Sequence, residues 1–116
     1  RLILDSHSHM AQYADTGSVS CITFNLGYLP GGDHSCSTRA ETTLEAVSHG
    51  LSLLKEDGLL TLCIYSGGDT GFEEREVLLP FLKELDPRVY LVILSSYYNR
   101  PNHPPIPVLI RKLRLF

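Results

Sequence analysis

Asp5-Ser6-His7-Ser8-His9 stands directly behind an apolar run, Leu2 to Leu4, and alternate residues of an extended chain project to the same side. His7 and His9 would then share one divalent cation, as at the start of many metal-dependent hydrolases. That chemistry asks for more than two imidazoles. A hydrolase barrel needs about 200 residues or more, and this sequence has 116. The other histidines are His34 in a Gly-rich stretch, His49 in a helical run and His103 among prolines, and none directly follows an expected strand. His7, His9, His34 and Cys36 are suitable zinc ligands by type, but their spacing matches no closed zinc motif. The expectation is that no metal is bound and that His9 sits in a solvated turn.

The second stretch with chemical potential is FNLGYLPGGDHS, Phe24 to Ser35. Asn25 ends an apolar run, Gly27 and Tyr28 follow, and Pro30-Gly31-Gly32-Asp33 comes next. A plain connector has no need of this arrangement. Taken alone, Asn25 reads as a turn former bonding its own backbone or as an acceptor facing a ligand.

The elements that would position these residues follow from periodicity. Arg1 to Leu4 is the end of a buried strand, and Val19 to Phe24, VSCITF, is a second one, rich in β-formers. Thr38 to Glu41 has capping-box spacing and opens a helix whose buried face is Leu44, Val47, Leu51 and Leu54. Asp57-Gly58 ends it, and Leu59 to Tyr65 is a third strand. Thr70 to Glu73 opens a second helix, burying Val77, Leu78, Phe81, Leu82 and Leu85, with a kink or break at Pro80. Val89 to Ser96 is a fourth strand, and Val108 to Leu113 a last one. Between them, residues 99–107 hold four of the seven prolines and form a stiff loop.

Strand alternating with helix describes an α/β sheet. The last two strands have no helix between them and should pair antiparallel, giving a mostly parallel Rossmann-like sheet that ends in an antiparallel edge. Ligands in such sheets sit outside the carboxyl ends of the strands, where Asp5 to Met10 and Asn25 to Ser37 lie.

Composition sets the outer limits. The chain length suits a single domain, with 43% hydrophobic residues and net charge −3. There is no global pull toward nucleic acid or anionic lipid, and no apolar run long enough for a membrane span. Arg100, Arg111, Lys112 and Arg114 collect late; a solvated strand edge explains them at least as well as phosphate contacts. Cys21, Cys36 and Cys63 form no CxxC pair, which suggests reduced, mostly buried thiols in a cytoplasmic setting, an organelle also being compatible. The start at Arg1, with no lead-in, reads as a segment of something longer.

The motifs DSH at Asp5 to His7, NLGYLPGGD at Asn25 to Asp33, ETTLEA at Glu41 to Ala46, IY-x-G at Ile64 to Gly67, FLKELD at Phe81 to Asp86 and Asn-x-Pro-Pro at Asn102 to Pro105 carry a resemblance. Together they resemble the small class I S-adenosylmethionine (SAM)-dependent methyltransferases known as rRNA methylases, a family associated with methylating the aminomethyl group of 5-aminomethyl-2-thiouridine at the tRNA wobble position. NLGYLPGGD is the most specific piece. Family members carry two more strand–helix units ahead of the matching part, with the Gly-rich cofactor loop, and this sequence contains neither. It also has Gly68 where a His is usual and Pro80 where a helix former is usual.

What the resemblance implies is an RNA methyltransferase with SAM as cofactor and tRNA as partner, no membrane, and a homodimer as an open option. Cofactor contacts would come from Asp5, Ser6, His7, Asn25, Leu26 and Gly27. The catalytic set would be Asn25, Tyr28 and Asp33; Leu26, Tyr28, Pro30 and His34 would meet the substrate. The side-chain oxygen of Asn25 and the carbonyl of Leu26 would hold the two hydrogens of a neutral amine, aiming its lone pair at the methyl carbon. Gly27 would allow close approach, Tyr28 would stack on a base, and Asp33 or His34 would take the released proton. Competing readings are a core-packed Tyr28, plain surface roles for Asp33 and His34, and helix capping by Asp5. A non-catalytic remnant or binding module is the alternative function, and a His7/His9 hydrolase the second. Without the missing strand–helix units, Leu2 to Leu4 would lack a native neighbour or shift to pair with Val19 to Phe24, and cofactor binding by these 116 residues alone would be weak or absent.

Overall fold

The computed structural model describes residues 7–25, 40–65, 68–102 and 104–114. A 3-10 helix, His7–Gln12, leads to strand β1, Val19–Asn25, and helix α1 follows at Ala40–Leu53. Strand β2 is Leu54–Ile64, helix α2 is Gly68–Lys83, and strands β3 and β4 are Tyr90–Leu94 and Ile106–Lys112. No helix among the described residues is long and apolar enough to cross a membrane.

The four strands form one sheet in the order β1-β2-β4-β3. β1 and β2 pair parallel, and β4 pairs antiparallel with both β2 and β3. Three strands therefore run one way, with the reversed β4 between two of them. The α/β class and the β3–β4 antiparallel pairing are as expected; the mostly parallel sheet is met only in part. The reversed strand is interior instead of at the edge. Its Val108 and Ile110 are buried among β2 and helix residues, and a position with apolar contacts on this scale is interior.

Both helices cover one face. Ala46, Val47 and Leu51 of α1 and Leu78 and Leu82 of α2 pack on Phe24, Leu60, Leu62, Ile64, Val108 and Ile110. Strand side chains alternate between faces, so Cys21, Leu59, Leu91 and Ile93 point to the other side and are exposed. That face carries no helix among the described residues. Cys21 is an exposed free thiol and Cys63 is half-buried, which corrects the expectation of mostly buried cysteines; Cys36 lies outside the described residues.

β3 is shorter than the expected Val89 to Ser96, and β4 begins at Ile106, inside the stretch expected as a loop; the larger differences from the sequence reading concern the two helices. α1 stops at Leu53, and Leu54, expected on the helix face, opens β2 opposite Val19. Leu54 is fully buried in the strand, so its apolar character fits either element and pairing with β1 decides. Asp57, with φ of 64°, lies inside β2 where the register against β1 shifts, between the Val19 and Cys21 pairs. α2 already runs at Gly68, which puts Thr70 inside the helix. α2 also continues through Pro80 to Lys83, and Glu84 N–H donates to the Pro80 carbonyl at 3.2 Å. An exposed proline so near the end removes one backbone bond, and water can solvate the carbonyl left over. The capping residue Thr38 and the run Arg1 to Leu4 lie outside the described residues.

Gly17 ties the approach to β1 onto α1. Its φ of 70° belongs to the left-handed region, and its N–H donates to the Ser52 carbonyl at 3.0 Å, satisfying an acceptor at the helix end. Gly58 is constrained differently: a Cβ there would lie 2.8 Å from the Lys55 carbonyl oxygen and 2.8 Å from Leu54 Cγ. Gly58→Ala is expected to lower unfolding stability by about 1–3 kcal/mol, read by chemical denaturation, since a backbone oxygen is among the atoms that would have to move.

Three of the late basic residues, Arg111, Lys112 and Arg114, close the end of the sheet opposite the carboxyl ends of β1 and β2. Arg111 Nη2 and Arg114 Nε donate to the Asp57 carboxylate at 2.9 and 2.6 Å, and Lys112 Nζ donates to the Leu54 carbonyl at 3.0 Å. The Arg111 and Arg114 hydrogen bonds hold the Asp57 pKa below its usual value. A depressed carboxylate pKa adds stability above the unfolded-state pKa, and that increment is lost as pH falls through the folded-state value. Asp57→Asn is therefore expected to melt slightly earlier than wild type at neutral pH, the gap closing in acid; thermal melts across pH 2–7 check this.

Candidate active-site rim

The parallel pairing of β1 and β2 brings their carboxyl ends together, with Asn25 beside Cys63 in the register. β3 runs in the same direction and ends at the same edge, where β4 begins: Leu94 pairs with Val108, and Ser95 N–H donates to the Pro107 carbonyl at 2.9 Å. This edge is where an α/β sheet takes its ligands. Asn25 ends β1 there as the sequence expects, because VSCITF favours a strand and the turn residues behind it cannot extend one.

Only part of the expected site can be followed. Asp5, Ser6, Leu26, Gly27, Tyr28, Pro30, Asp33 and His34 lie outside the described residues. His7 begins the 3-10 helix, and His9 is exposed within it rather than in an irregular turn. Met10 of that helix packs on the core, which fixes the segment against the covered face. Among the described residues, no three of His, Cys, Asp or Glu gather closely enough to hold a metal ion.

Just below the rim, on the open face, is a shallow depression of about 330 Å³ lined by Thr23, Thr61, Cys63, Ser95, Pro107 and Leu109 among others. Thr61 Oγ1 donates to Thr23 Oγ1 at 3.3 Å. Hydroxyls and one thiol give this surface hydrogen-bonding capacity without any acid or base. What it can do is bind and orient.

Sequence reasoning left one group at this edge without a role. Tyr65 follows β2, while Tyr97 and Tyr98 follow β3 after two serines. Cys63, as a charge when ionised, together with partial burial, the hydrogen bond to Cys63 and the nearby Tyr97, pushes the Tyr65 phenol above its ordinary pKa. It therefore stays neutral. The signal available in the sequence was Tyr97-Tyr98-Asn99-Arg100 placed straight behind a strand end.

Comparison with known proteins bears on the whole chain. Residues 1–111 match the family described as "Putative rRNA methylase". The Arabidopsis thaliana "tRNA (mnm(5)s(2)U34)-methyltransferase, chloroplastic" is 35% identical over 107 residues, covering 91% of this chain and 39% of that protein. A "putative rRNA-methylase" structure from Clostridium thermocellum superposes with a TM-score of 0.91 at 50% identity, over 97% of this chain and 60% of that one. A "putative methyltransferase" from Streptococcus mutans, solved in complex with SAH, gives 0.85 at 38% identity, over 97% of this chain and 61% of that one. The chain thus spans about 60% of these solved structures and 39% of the plant protein. By sequence along nearly its full length and by superposition on the solved relatives, it belongs to the rRNA methylase family of methyltransferases.

Proposed function

We propose that the protein containing this chain transfers a methyl group from SAM to the aminomethyl nitrogen of a modified wobble uridine in tRNA, and that residues 1–116 belong to a single methyltransferase domain. The observation that carries the reading is the 35% identity, over 91% of this chain, to a tRNA methyltransferase whose name specifies that nucleoside. The SAH-bound relative supports the cofactor. The shared edge of β1 and β2 fits such a group, since it brings Asn25 and the uncharged depression below it to one side of the sheet.

The bound cofactor supplies a sulfonium methyl already activated for displacement, so orientation of the acceptor is the main task of the chain. Asn25 and the Leu26 carbonyl accept the two hydrogens of the neutral amine and leave its lone pair directed at the methyl carbon. Gly27 permits that approach, and Tyr28 with Pro30 walls the base. The displaced sulfonium would leave as the neutral thioether, and Asp33 or His34 would take up the proton that the methylated amine must lose. Asp5, Ser6 and His7 would hold the cofactor.

The test is methyl transfer by the full-length protein from labelled SAM to tRNA lacking the final methyl group. Label recovered on the wobble nucleoside is the expected result. Label on ribosomal RNA instead, or on no RNA, overturns the assignment.

A further inference from the structure

The carboxyl-end edge carries three tyrosines that the proposed methyl transfer does not use. Tyr65, Tyr97 and Tyr98 are 42%, 44% and 102% exposed. β2 and β3 flank β4, so Tyr65 and the Tyr97-Tyr98 pair stand on either side of the start of β4. Tyr97 lies near enough to Tyr65 to contribute to raising its pKa, which places these two rings close together, and Tyr98 is next to Tyr97 in the chain. Arg100 is exposed two residues beyond Tyr98. Single exposed aromatics are unremarkable on a protein surface, but three at the carboxyl-end edge concentrate aromatic area where an α/β sheet takes its ligands. A side chain as exposed as that of Tyr98 contributes nothing to the core.

We propose that Tyr65, Tyr97 and Tyr98, with Arg100, form a stacking platform for unpaired RNA bases adjacent to the target nucleotide at the carboxyl end of β1. Aromatic rings and guanidinium planes bind the faces of splayed-out bases. The dimensions agree: adjacent strands lie about 4.8 Å apart, so β1 and β3 are separated by about 14 Å, the reach of a few nucleotides. The charge balance also favours stacking. A chain of net charge −3 has little general attraction for phosphates, and neutral rings add no repulsion. Binding through this patch should therefore depend only weakly on salt, because few counterions are released. The Pro101, Pro104 and Pro105 segment between the patch and β4 limits the backbone freedom lost on binding.

This inference rests on the RNA methyltransferase reading, and the experiment separates the two. In the full-length protein, Tyr98→Leu and the Tyr97→Leu/Tyr98→Leu double variant are compared with wild type in methyl transfer to an anticodon stem-loop. The expected result is a rise of about ten-fold or more in KM for RNA, with kcat, cofactor affinity and melting temperature unchanged. Tyr98→Phe and Tyr98→Trp, which keep a ring, should retain the wild-type KM. An active wild type whose KM is unmoved in the double variant overturns the platform. So does a double variant that changes oligomeric state but not KM, since the patch would then be a protein contact. If wild type methylates no RNA, the functional reading fails, and fluorescence anisotropy still decides the platform: single-stranded RNA bound equally by wild type and double variant overturns it.

Discussion

Asn25→Ala in the full-length protein is expected to lower kcat for methyl transfer by about 100-fold or more, while KM for RNA and cofactor affinity change by only a few-fold. The size follows from the task proposed for the side chain. An activated donor needs little acid–base assistance, so most of the barrier reduction comes from holding the amine with its lone pair in line. Losing a single preorganised polar contact at a reacting centre commonly lowers turnover by about 100- to 1000-fold. The substitution should leave the fold intact, because Asn25 closes β1 through its backbone beside Cys63 and Ala supplies the same backbone groups. Asn25→Asp is the informative companion. It keeps an acceptor oxygen but adds charge, and should recover part of the rate. Single-turnover transfer from labelled SAM measures both variants. An Asn25→Ala protein with wild-type turnover would remove the acceptor-orienting role, and with it the reason for the unusual loop behind β1.

Ile110→Ala is expected to cost about 2–5 kcal/mol of unfolding free energy. Ile110 has no accessible surface and sits in β4 opposite Leu60 of β2 and Val92 of β3. Because β4 joins those two strands, a cavity at this position loosens the ladder that, among the described residues, connects β3 to the rest of the sheet. Set against a usual total of roughly 5–15 kcal/mol, the loss is large. Urea denaturation measures it, and a change under about 1 kcal/mol would mean that the surrounding side chains collapse freely into the space. The same variant should weaken RNA binding indirectly, since β3 carries Tyr97 and Tyr98 into position.

Residues on the described elements show where local pattern was sufficient. VSCITF formed the body of β1 because β-branched and aromatic residues fit a pleated surface. Val47, Leu51, Leu78 and Leu82 became the buried stripes of their helices because spacings of three and four recur on one helix face. Asn25 could be placed at a strand end for the same reason. The particular sequence NLGYLPGGD went further and pointed to the family.

Leu54, Asp57 and Gly58 show where local pattern ran out. Their apolar spacing and turn residues describe a helix end equally well, and only the ladder with Val19 and Cys21 made them strand. Pro80 was a breaker by local rules, yet an exposed site one turn from the helix end tolerated it. Likewise, nothing in the charges of Arg111 and Arg114 announced Asp57 as their partner, which lies more than fifty positions away in sequence.

The sequence by itself therefore determined the kinds of element, the buried face of each helix and the family, because those depend on spacing within a few residues or on a distinctive motif. The position of β4 between β2 and β3, and the gathering of Tyr65 with Tyr97 and Tyr98 at one edge, were decided only by tertiary structure. Strand order is chosen by which apolar faces can be buried together, and that competition among distant segments leaves no periodic trace in any one of them.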